Sequence, residues 1–305
     1  MISKETNFDF MGKRKIAAVF SLLLVVISLG SLAVKGLVLG LDFTGGTLVE
    51  VEYAQAPKID DVRQRLFDAG YDKLTVQNFG AETSVLVRLS QGFSDKVGEE
   101  VLTALQAGGA NVSLKRAEYV GAQVGEELRE QGGLGLLFAL GVVMLYVAMR
   151  FQLKFSVGAV IALAHDVIIT LGVFSLFSLD FDLTVLAALL AVIGYSLNDT
   201  IIVFDRVREN FRKMRKGSSE EIINESLNQT LSRTLMTSAT TMLVLVALFI
   251  FGGDMIHGFA VALLLGIFVG TYSSIYVASN GLLSMGIVKE DLMVPVKEDE
   301  VNDLP

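Results

Sequence analysis

The 305-residue sequence has no cysteine, only three prolines and only two histidines. Without cysteine the chain can form neither a disulfide framework nor a zinc site of the cysteine type. The pattern Gly-x-x-x-x-Gly-Lys-Ser/Thr, which cradles nucleotide phosphates, is also missing. The formal net charge of -8 gives no indication of nucleic-acid binding. We therefore expect no metal, no cofactor and no nucleic-acid partner.

Apolar residues, in contrast, make up 52% of the chain, and the mean hydropathy is +0.57. This composition is too apolar for an ordinary soluble domain and predicts several membrane spans. The first span is assigned to 16–38 and five more to 132–288, each long enough to cross a hydrocarbon core of about 30 Å. A cleaved signal peptide is the alternative for the first segment, but the apolar run is longer than in a usual signal sequence.

One long polar region, at 39–131, separates the first two spans. Alternating apolar and polar residues predict strands in it, and apolar residues at helical spacing predict helices. The predicted order is that of a ferredoxin-like βαββαβ sandwich. Its predicted strands are 48–53, 74–79, 84–89 and 112–120, and its predicted helices are 58–70 and 94–107. The region offers no histidine and no nucleophile–base pair, so we expect the chain not to be an enzyme.

The predicted fold class is therefore a polytopic α-helical membrane protein with six transmembrane helices and one small α+β domain between helices 1 and 2. Basic residues in short connecting segments mark the cytoplasmic side. This rule places the N-terminus (1–15), a loop at 205–233 and an acidic tail (289–305) in the cytoplasm, and the domain at 39–131 on the periplasmic side. The basic residues that share the cytoplasmic side are Lys13, Arg14, Lys15, Arg150, Lys154, Arg206, Arg208, Arg212, Lys213, Arg215, Lys216 and Arg233.

Asp199 lies within the predicted fourth span, where a carboxylate costs about 2.5–3.5 kcal/mol on insertion scales. Two interpretations stay open. In the first, the acid binds and releases a proton, and Arg233 at the end of the fifth span is the cation that controls it. In the second, Asp199 and Arg233 form a fixed structural pair, and Asn198 and Thr200 complete the hydrogen bonds.

A histidine and a second acid lie together in the predicted third span. His165 and Asp166 are either members of a proton relay or hydrogen-bond partners between helices. Ser196 lies one turn before Asp199 on the same helix face, where it could hold a water molecule.

Glycines mark two further features. Gly266 and Gly270 form a Gly-x-x-x-Gly pattern, which indicates a close helix contact rather than a functional site. Asp42, Gly45 and Gly46 follow the first span. We expect this motif to shape the junction between span and domain, because glycine permits unusual dihedral angles.

Four motifs carry a family resemblance. They are Gly40-Leu-Asp-Phe-Thr-Gly-Gly-Thr47, His165-Asp166, Gly194-Tyr-Ser-Leu-Asn-Asp-Thr-Ile-Ile-Val-Phe-Asp-Arg-Val-Arg-Glu-Asn210 and Leu231-Ser-Arg-Thr-Leu-Met-Thr-Ser238. With the layout of six spans and one domain, they resemble the SecF family. SecF is the smaller membrane subunit of the bacterial SecD–SecF complex of protein export, and the complex belongs to the resistance-nodulation-division superfamily.

The resemblance implies a heterodimer with SecD in the bacterial inner membrane, driven by the proton-motive force. The complex would promote outward movement of unfolded secretory precursors after they leave the SecYEG channel. Implied partners also include YajC, YidC and membrane lipids. In the family, the acid and the arginine that correspond to Asp199 and Arg233 are associated with proton conduction. Two alternatives remain, a scaffold that only holds SecD and the channel together and a small-molecule efflux subunit of the same superfamily.

Overall fold

Six long helices and a small β-sheet domain make up the computed structural model, which describes residues 7–72, 74–89, 96–107, 109–214, 217–253 and 256–288. The predicted acidic tail at 289–305 lies outside the described residues, as do Arg215 and Lys216. All six helices are long and apolar enough to cross a membrane, as predicted. In chain order the elements are a 3-10 turn (Met11–Lys13), α1 (Arg14–Val34), β1 (Val38–Leu39), α2 (Leu41–Thr44), β2 (Gly46–Tyr53), α3 (Ile59–Asp68), β3 (Leu74–Phe79), β4 (Ala81–Leu89), α4 (Val97–Gln106), β5 (Val112–Val120), α5 (Ala122–Arg150), α6 (Leu153–Leu176), β6 (Asp180–Phe181), α7 (Leu183–Lys213), α8 (Ser219–Phe251) and α9 (His257–Ser284).

Helices α6, α7 and α9 form the centre of the bundle. In their most apolar windows 61%, 56% and 50% of the residues are buried, against 17%, 6% and 17% in α1, α5 and α8. Small and hydroxyl residues on the central helices let the backbones approach closely, while large apolar side chains cover the outer helices. The centre of the bundle is therefore where charged groups can be shielded from lipid.

Residues 46–120 form the sheet domain, a four-stranded antiparallel sheet that packs against α3 and α4. The strand order β3-β4-β2-β5 is that of a ferredoxin-like fold, so this prediction is confirmed. The two-residue period of the strands points Val49 and Val87 to one face, where they meet Leu66 of α3 and Leu105 of α4.

The other face of the sheet carries charged residues in cross-strand pairs. Arg116 of β5 lies 2.8 Å from Glu50 of β2, and Lys115 pairs with Glu52. The hydrogen bond from Lys115 lowers the pKa of the Glu52 carboxyl and in turn raises the pKa of the Lys115 ammonium. The Lys115–Glu52 pair is partly exposed, so it helps to set strand register but contributes little to stability.

The connection between α7 and α8 differs from the prediction. The sequence predicts a loop at 205–233, but α7 continues to Lys213 and α8 begins at Ser219. Val207 and Phe211 keep an apolar face turned toward the core, which continues α7. Ser218 and Glu221 form a capping box that starts α8. The predicted loop is therefore wrong over most of its length.

Two other helix boundaries also differ from the prediction. Helix α1 ends at Val34, short of the predicted limit at 38, because Val38–Leu39 pair with β6 instead. Helix α5 begins at Ala122, inside the segment 39–131 assigned to the domain. A helix that crosses a membrane can extend past the hydrocarbon region, so hydropathy alone does not locate its ends.

Candidate functional site

The carboxyl group of Asp199 lies near the middle of α7, and the residue is only 1% exposed. Its Oδ1 has no hydrogen-bond partner in the described chain, and its Oδ2 lies 3.5 Å from Oγ of Ser238 on α8. A buried charged carboxylate requires a nearby cation or several hydrogen-bond donors to offset the loss of water. The surroundings of Asp199 supply neither in full.

A row of hydroxyl groups leads from Asp199 to α9. Oγ of Ser238 lies 2.8 Å from Oγ1 of Thr271, and Thr271 donates to the carbonyl of Ile267 at 2.8 Å. Each hydroxyl has one proton to donate. Ser238 has one proton for two acceptors, Oδ2 of Asp199 at 3.5 Å and Oγ1 of Thr271 at 2.8 Å, so Asp199 receives at most a weak hydrogen bond from it. A protonated Asp199 can instead donate to Ser238, and in that state every hydroxyl in the row is paired.

Arg233 lies on α8, and its side chain is exposed on the outside of the bundle. Its side chain and that of Asp199 form no ion pair within 4.0 Å. Asn198 is exposed, and the hydroxyl of Thr200 is buried without a partner in the described chain. The fixed structural pair completed by these two residues is therefore not observed.

A second buried carboxylate, Asp166 of α6, has the opposite surroundings. Its Oδ2 accepts from Ser196 of α7 at 2.6 Å and from Ser273 of α9 at 2.7 Å. Its Oδ1 lies 2.9 Å from Nδ1 of His165. Donors from three helices thus stabilise a charged carboxylate here. Ser196, one turn before Asp199 on α7, donates its hydroxyl proton to this acid.

The imidazole of His165 lies between α6 and α9. Its ring stacks on Tyr272, with 6.3 Å between the centroids. The hydroxyl of Tyr272 donates to the carbonyl of Ala17 on α1 at 2.9 Å and lies 3.0 Å from Oγ of Ser21. Nε2 of His165 is buried and has no partner in the described chain. The group therefore ties three helices together and leaves one ring nitrogen open.

Gly266 and Gly270 allow α9 to approach α7 closely. A Cβ atom at position 266 would lie 2.2 Å from Cγ2 of Val192. One at position 270 would lie 3.0 Å from Cβ of Ser196 and 3.5 Å from Oδ2 of Asp166. The predicted close helix contact is confirmed, and Gly270 also leaves space for the Asp166 group.

The predicted junction motif lies where the sheet domain meets the connection between α6 and α7. Oδ2 of Asp42 accepts from the backbone N–H of Leu183, at the start of α7, at 3.0 Å. Gly45 and Gly46 have φ values of 65° and 119°. A Cβ atom at Gly46 would lie 2.5 Å from the carbonyl oxygen of Leu89. The expectation of unusual glycine dihedrals is confirmed.

The same connection holds the sheet domain through contacts that sequence reasoning missed. β1 and β6 pair in parallel, joining the chain after α1 to the chain after α6. Asp180 in β6 accepts from Nε2 of Gln77 at 2.9 Å and lies 3.5 Å from Arg88. These contacts fix the domain on the end of the bundle.

Sequence reasoning also missed Ser238, Thr271, Tyr272 and Ser273 as members of the two sites. One signal for them was present, because hydroxyl groups are unusual in otherwise apolar spans and bind across helices. Which acid each hydroxyl serves depends on how the helices are arranged around α7, and a single sequence does not contain that information.

Most of the chain matches models and relatives of one family. Residues 100–287 match the model for the protein export membrane protein SecD/SecF, C-terminal, and residues 30–57 match the SecD/SecF GG motif. The protein translocase subunit SecF of Pseudomonas aeruginosa is 53% identical over 301 residues, which cover 98% of both chains. SecF of Escherichia coli O157:H7 is 44% identical, over 98% of this chain and 94% of the relative.

Solved structures share the fold. The crystal structure of SecDF, a translocon-associated membrane protein from Thermus thermophilus, gives a TM-score of 0.87 at 39% identity. SecDF in a super-membrane-facing form gives a TM-score of 0.71 at the same identity. Both comparisons cover 93% of this chain but only 39% of the longer SecDF chain. From the family models, the full-length relatives and this shared fold, the chain belongs to the SecF family of protein translocase subunits.

Proposed function

We propose that this chain acts with SecD as a proton-driven accessory subunit of the Sec translocase, promoting outward movement of secretory proteins after the SecYEG channel. Membership of the SecF family makes it a membrane subunit of the SecD–SecF export complex and not an enzyme in the usual sense. The observation that supports the proton-driven part is the buried carboxyl of Asp199, which has one free oxygen and one weak contact.

The proposed proton site works through the two charge states of Asp199. Protonated, the acid donates to Ser238 and completes the hydroxyl row to Thr271. Deprotonated, it lacks donors, and its desolvation must be offset by a cation. Arg233 is the candidate cation, because it lies on α8, the helix whose Ser238 contacts the carboxyl. A movement of α8 that brings Arg233 closer favours proton release, and the reverse movement favours proton uptake.

The available energy is adequate for such a cycle. One elementary charge moved through 100 mV yields about 2.3 kcal/mol. Since about 1.4 kcal/mol changes an equilibrium tenfold, a single proton can shift two helix arrangements by more than tenfold.

We assign the sheet domain to the periplasmic side of the bacterial inner membrane and both termini to the cytoplasm. Supporting this orientation, basic residues gather at the end of the bundle away from the sheet domain, where Arg14 pairs with Glu220 and Arg150 lies 3.4 Å from Asp205. YajC, YidC, the SecYEG channel, membrane lipids and an unfolded precursor remain proposed partners.

The test is Asp199→Asn in the complex of this chain with SecD. Asparagine keeps the shape of the side chain but cannot take up a proton. We expect proton flux into vesicles that contain the complex to fall to background, and precursor export in cells to slow to the level of a deletion. SecD should still co-purify, because the helix contacts of α7 are unchanged.

A matched control is Asp205→Asn on the same helix. Asp205 is about half exposed and pairs with Arg150, and exposed pairs of this kind contribute at most about 1 kcal/mol. Its flux and export should match those of the wild type. Unchanged export with Asp199→Asn would instead support the scaffold, and loss of small-molecule resistance with intact export would support the efflux subunit.

A further inference from the structure

We propose that His165 and Asp166 form a second proton-binding site, with Nε2 of His165 as the atom that takes the proton. We further propose that this site is coupled to Asp199 through α7 and α9. The inference rests on the proposed proton-driven function and adds a residue pair to it. It starts from one observation, a buried ring nitrogen without a partner beside a fully paired carboxylate.

The hydrogen bonds define the resting state of the pair. Oδ2 of Asp166 accepts from Ser196 and Ser273. Oδ1 lies 2.9 Å from Nδ1 of His165, and because a charged carboxylate can only accept, we assign the proton to Nδ1. A neutral imidazole that donates from Nδ1 carries its lone pair on Nε2. This atom belongs to a residue that is only 6% exposed, and a buried acceptor without a partner is unfavourable.

Protonation converts that acceptor into an N–H donor. A proton from water on one side of the membrane adds to Nε2 and forms an imidazolium, and no other bond changes. The positive charge lies beside the carboxylate of Asp166, with 2.9 Å between Nδ1 and Oδ1. The hydrogen bond then joins two charged groups, instead of a neutral ring and a charged carboxylate. Release of the proton to water on the other side restores the neutral ring.

Few titratable groups face the pair from the neighbouring helices. From α9, Tyr272 stacks on the imidazole. From α1, Ser21 reaches the hydroxyl of Tyr272, and the apolar run of α1 holds no charged residue. On α7, Tyr195 turns to Thr241 of α8. In the part of the chain that the structure describes, the pair forms no ion pair with any other side chain.

The position of α7 relative to α9 links the two sites. Ser196, which serves Asp166, lies three residues before Asp199 on the same rigid helix. Ser273 of α9 serves Asp166, and Thr271 of α9 ends the hydroxyl row of Asp199. A shift of α9 along α7 therefore changes the hydrogen bonds at both acids. Helices α7 and α9 thus have two relative arrangements, and protonation of either site changes the balance between them.

Nitrogen NMR of the imidazole rings tests the first part of the proposal. The chain has only two histidines, and His257 is exposed at the start of α9, so His257→Asn leaves His165 as the single signal. In the SecD complex, with the nitrogen label in this chain only, we expect the neutral Nδ1–H form to be replaced by imidazolium on acidification. A ring that keeps one form throughout the acidification would overturn the proposal.

Proton flux tests the second part. In His165→Asn the side-chain amide can still donate to Asp166, but the group cannot titrate. We expect flux to fall by at least about fivefold, the lower end of typical site coupling. His257→Asn should be unchanged. If proton flux is lost in Asp199→Asn but remains full in His165→Asn, only the second proton site is overturned. If proton flux remains full in Asp199→Asn, the proton-driven function itself is overturned.

Discussion

At the level of single residues, the two buried acids Asp166 and Asp199 have opposite hydrogen-bond surroundings. Asp166 has three donors from α6, α7 and α9, whereas Asp199 has one weak contact and a free oxygen. Both residues are 1% exposed, so burial does not distinguish them. The number of hydrogen-bond donors distinguishes them. It suits Asp166 to a fixed negative charge and Asp199 to a charge that is lost on protonation and regained on deprotonation.

Close packing of α7 and α9 gives the first stability prediction. Gly266→Ala places a methyl group 2.2 Å from Cγ2 of Val192, so one of the two helices must move. Overpacking of this kind costs about 1–3 kcal/mol, and we expect the thermal unfolding midpoint of the purified protein to fall accordingly. Proton flux should fall as well, because the shift separates the helices that join the two acids.

The control for this substitution is Gly194→Ala on α7. No atom lies within 4 Å of the Cβ position there, and alanine is the better helix former, so the unfolding midpoint should stay the same or rise slightly. The double variant Gly266→Ala with Val192→Ala removes the clash and should recover part of the stability. If the double variant is no more stable than Gly266→Ala alone, the close contact is not the cause of the loss.

At the level of elements, α8 carries both Ser238 and Arg233 and is clamped at its N-terminal end. Oδ1 of Asn224 accepts from the backbone N–H groups of Phe10 at 2.8 Å and Met11 at 3.1 Å. Asn228 accepts from the N–H of Phe8 at 2.7 Å and donates to its carbonyl at 2.9 Å. The segment before α1 thus lies along α8, held by hydrogen bonds between its backbone and the side chains of Asn224 and Asn228. These bonds limit how the N-terminal end of α8 can move.

Removal of one side chain tests this clamp. Asn224→Ala leaves the amides of Phe10 and Met11 without their acceptor, which costs about 0.5–2 kcal/mol for a capping group. We expect hydrogen exchange of these amides to accelerate by about threefold to thirtyfold, measured by mass spectrometry of peptides that contain them. Glu225→Ala alters the next residue on α8, whose carboxylate accepts from Gln229, and should leave exchange unchanged. Equal exchange in both variants would mean that other contacts hold the segment.

Elements with strong local periodicity could be predicted from the sequence, and contacts between distant elements could not. The alternation at 48–53 and the long apolar runs give the sheet domain and the six helices. Ser196 and Asp199 are three residues apart, which is about 60° around a helix. Helices α6 and α8 contact neighbouring parts of the α7 surface, so the three-residue spacing does not reveal that Ser196 and Asp199 belong to different sites.

In the whole molecule, the sheet domain and the helix bundle are joined through very short elements that have no sequence signature. β1 and β6 have two residues each, too few for a period to show, yet they pair in parallel across the junction. Asp42 and Asp180 add polar contacts to α7 and to the sheet domain. Because these contacts link the domain to the turn between α6 and α7, a change in the bundle can reach the sheet domain directly.

The last prediction concerns this link between the sheet domain and the bundle. Asp180→Ala removes the acceptor of Gln77 and the partner of Arg88, and bonds to a charged group contribute about 1.5–3 kcal/mol. The native chain has no cysteine, so spin labels can be placed at Asp68→Cys on α3 and at Phe251→Cys at the end of α8, both exposed. We expect the distance distribution between them to broaden with Asp180→Ala and to stay narrow with Asp61→Ala, a change of an exposed aspartate within the sheet domain. An unchanged distribution would mean that Asp42 and the β1–β6 pairing hold the domain without Asp180.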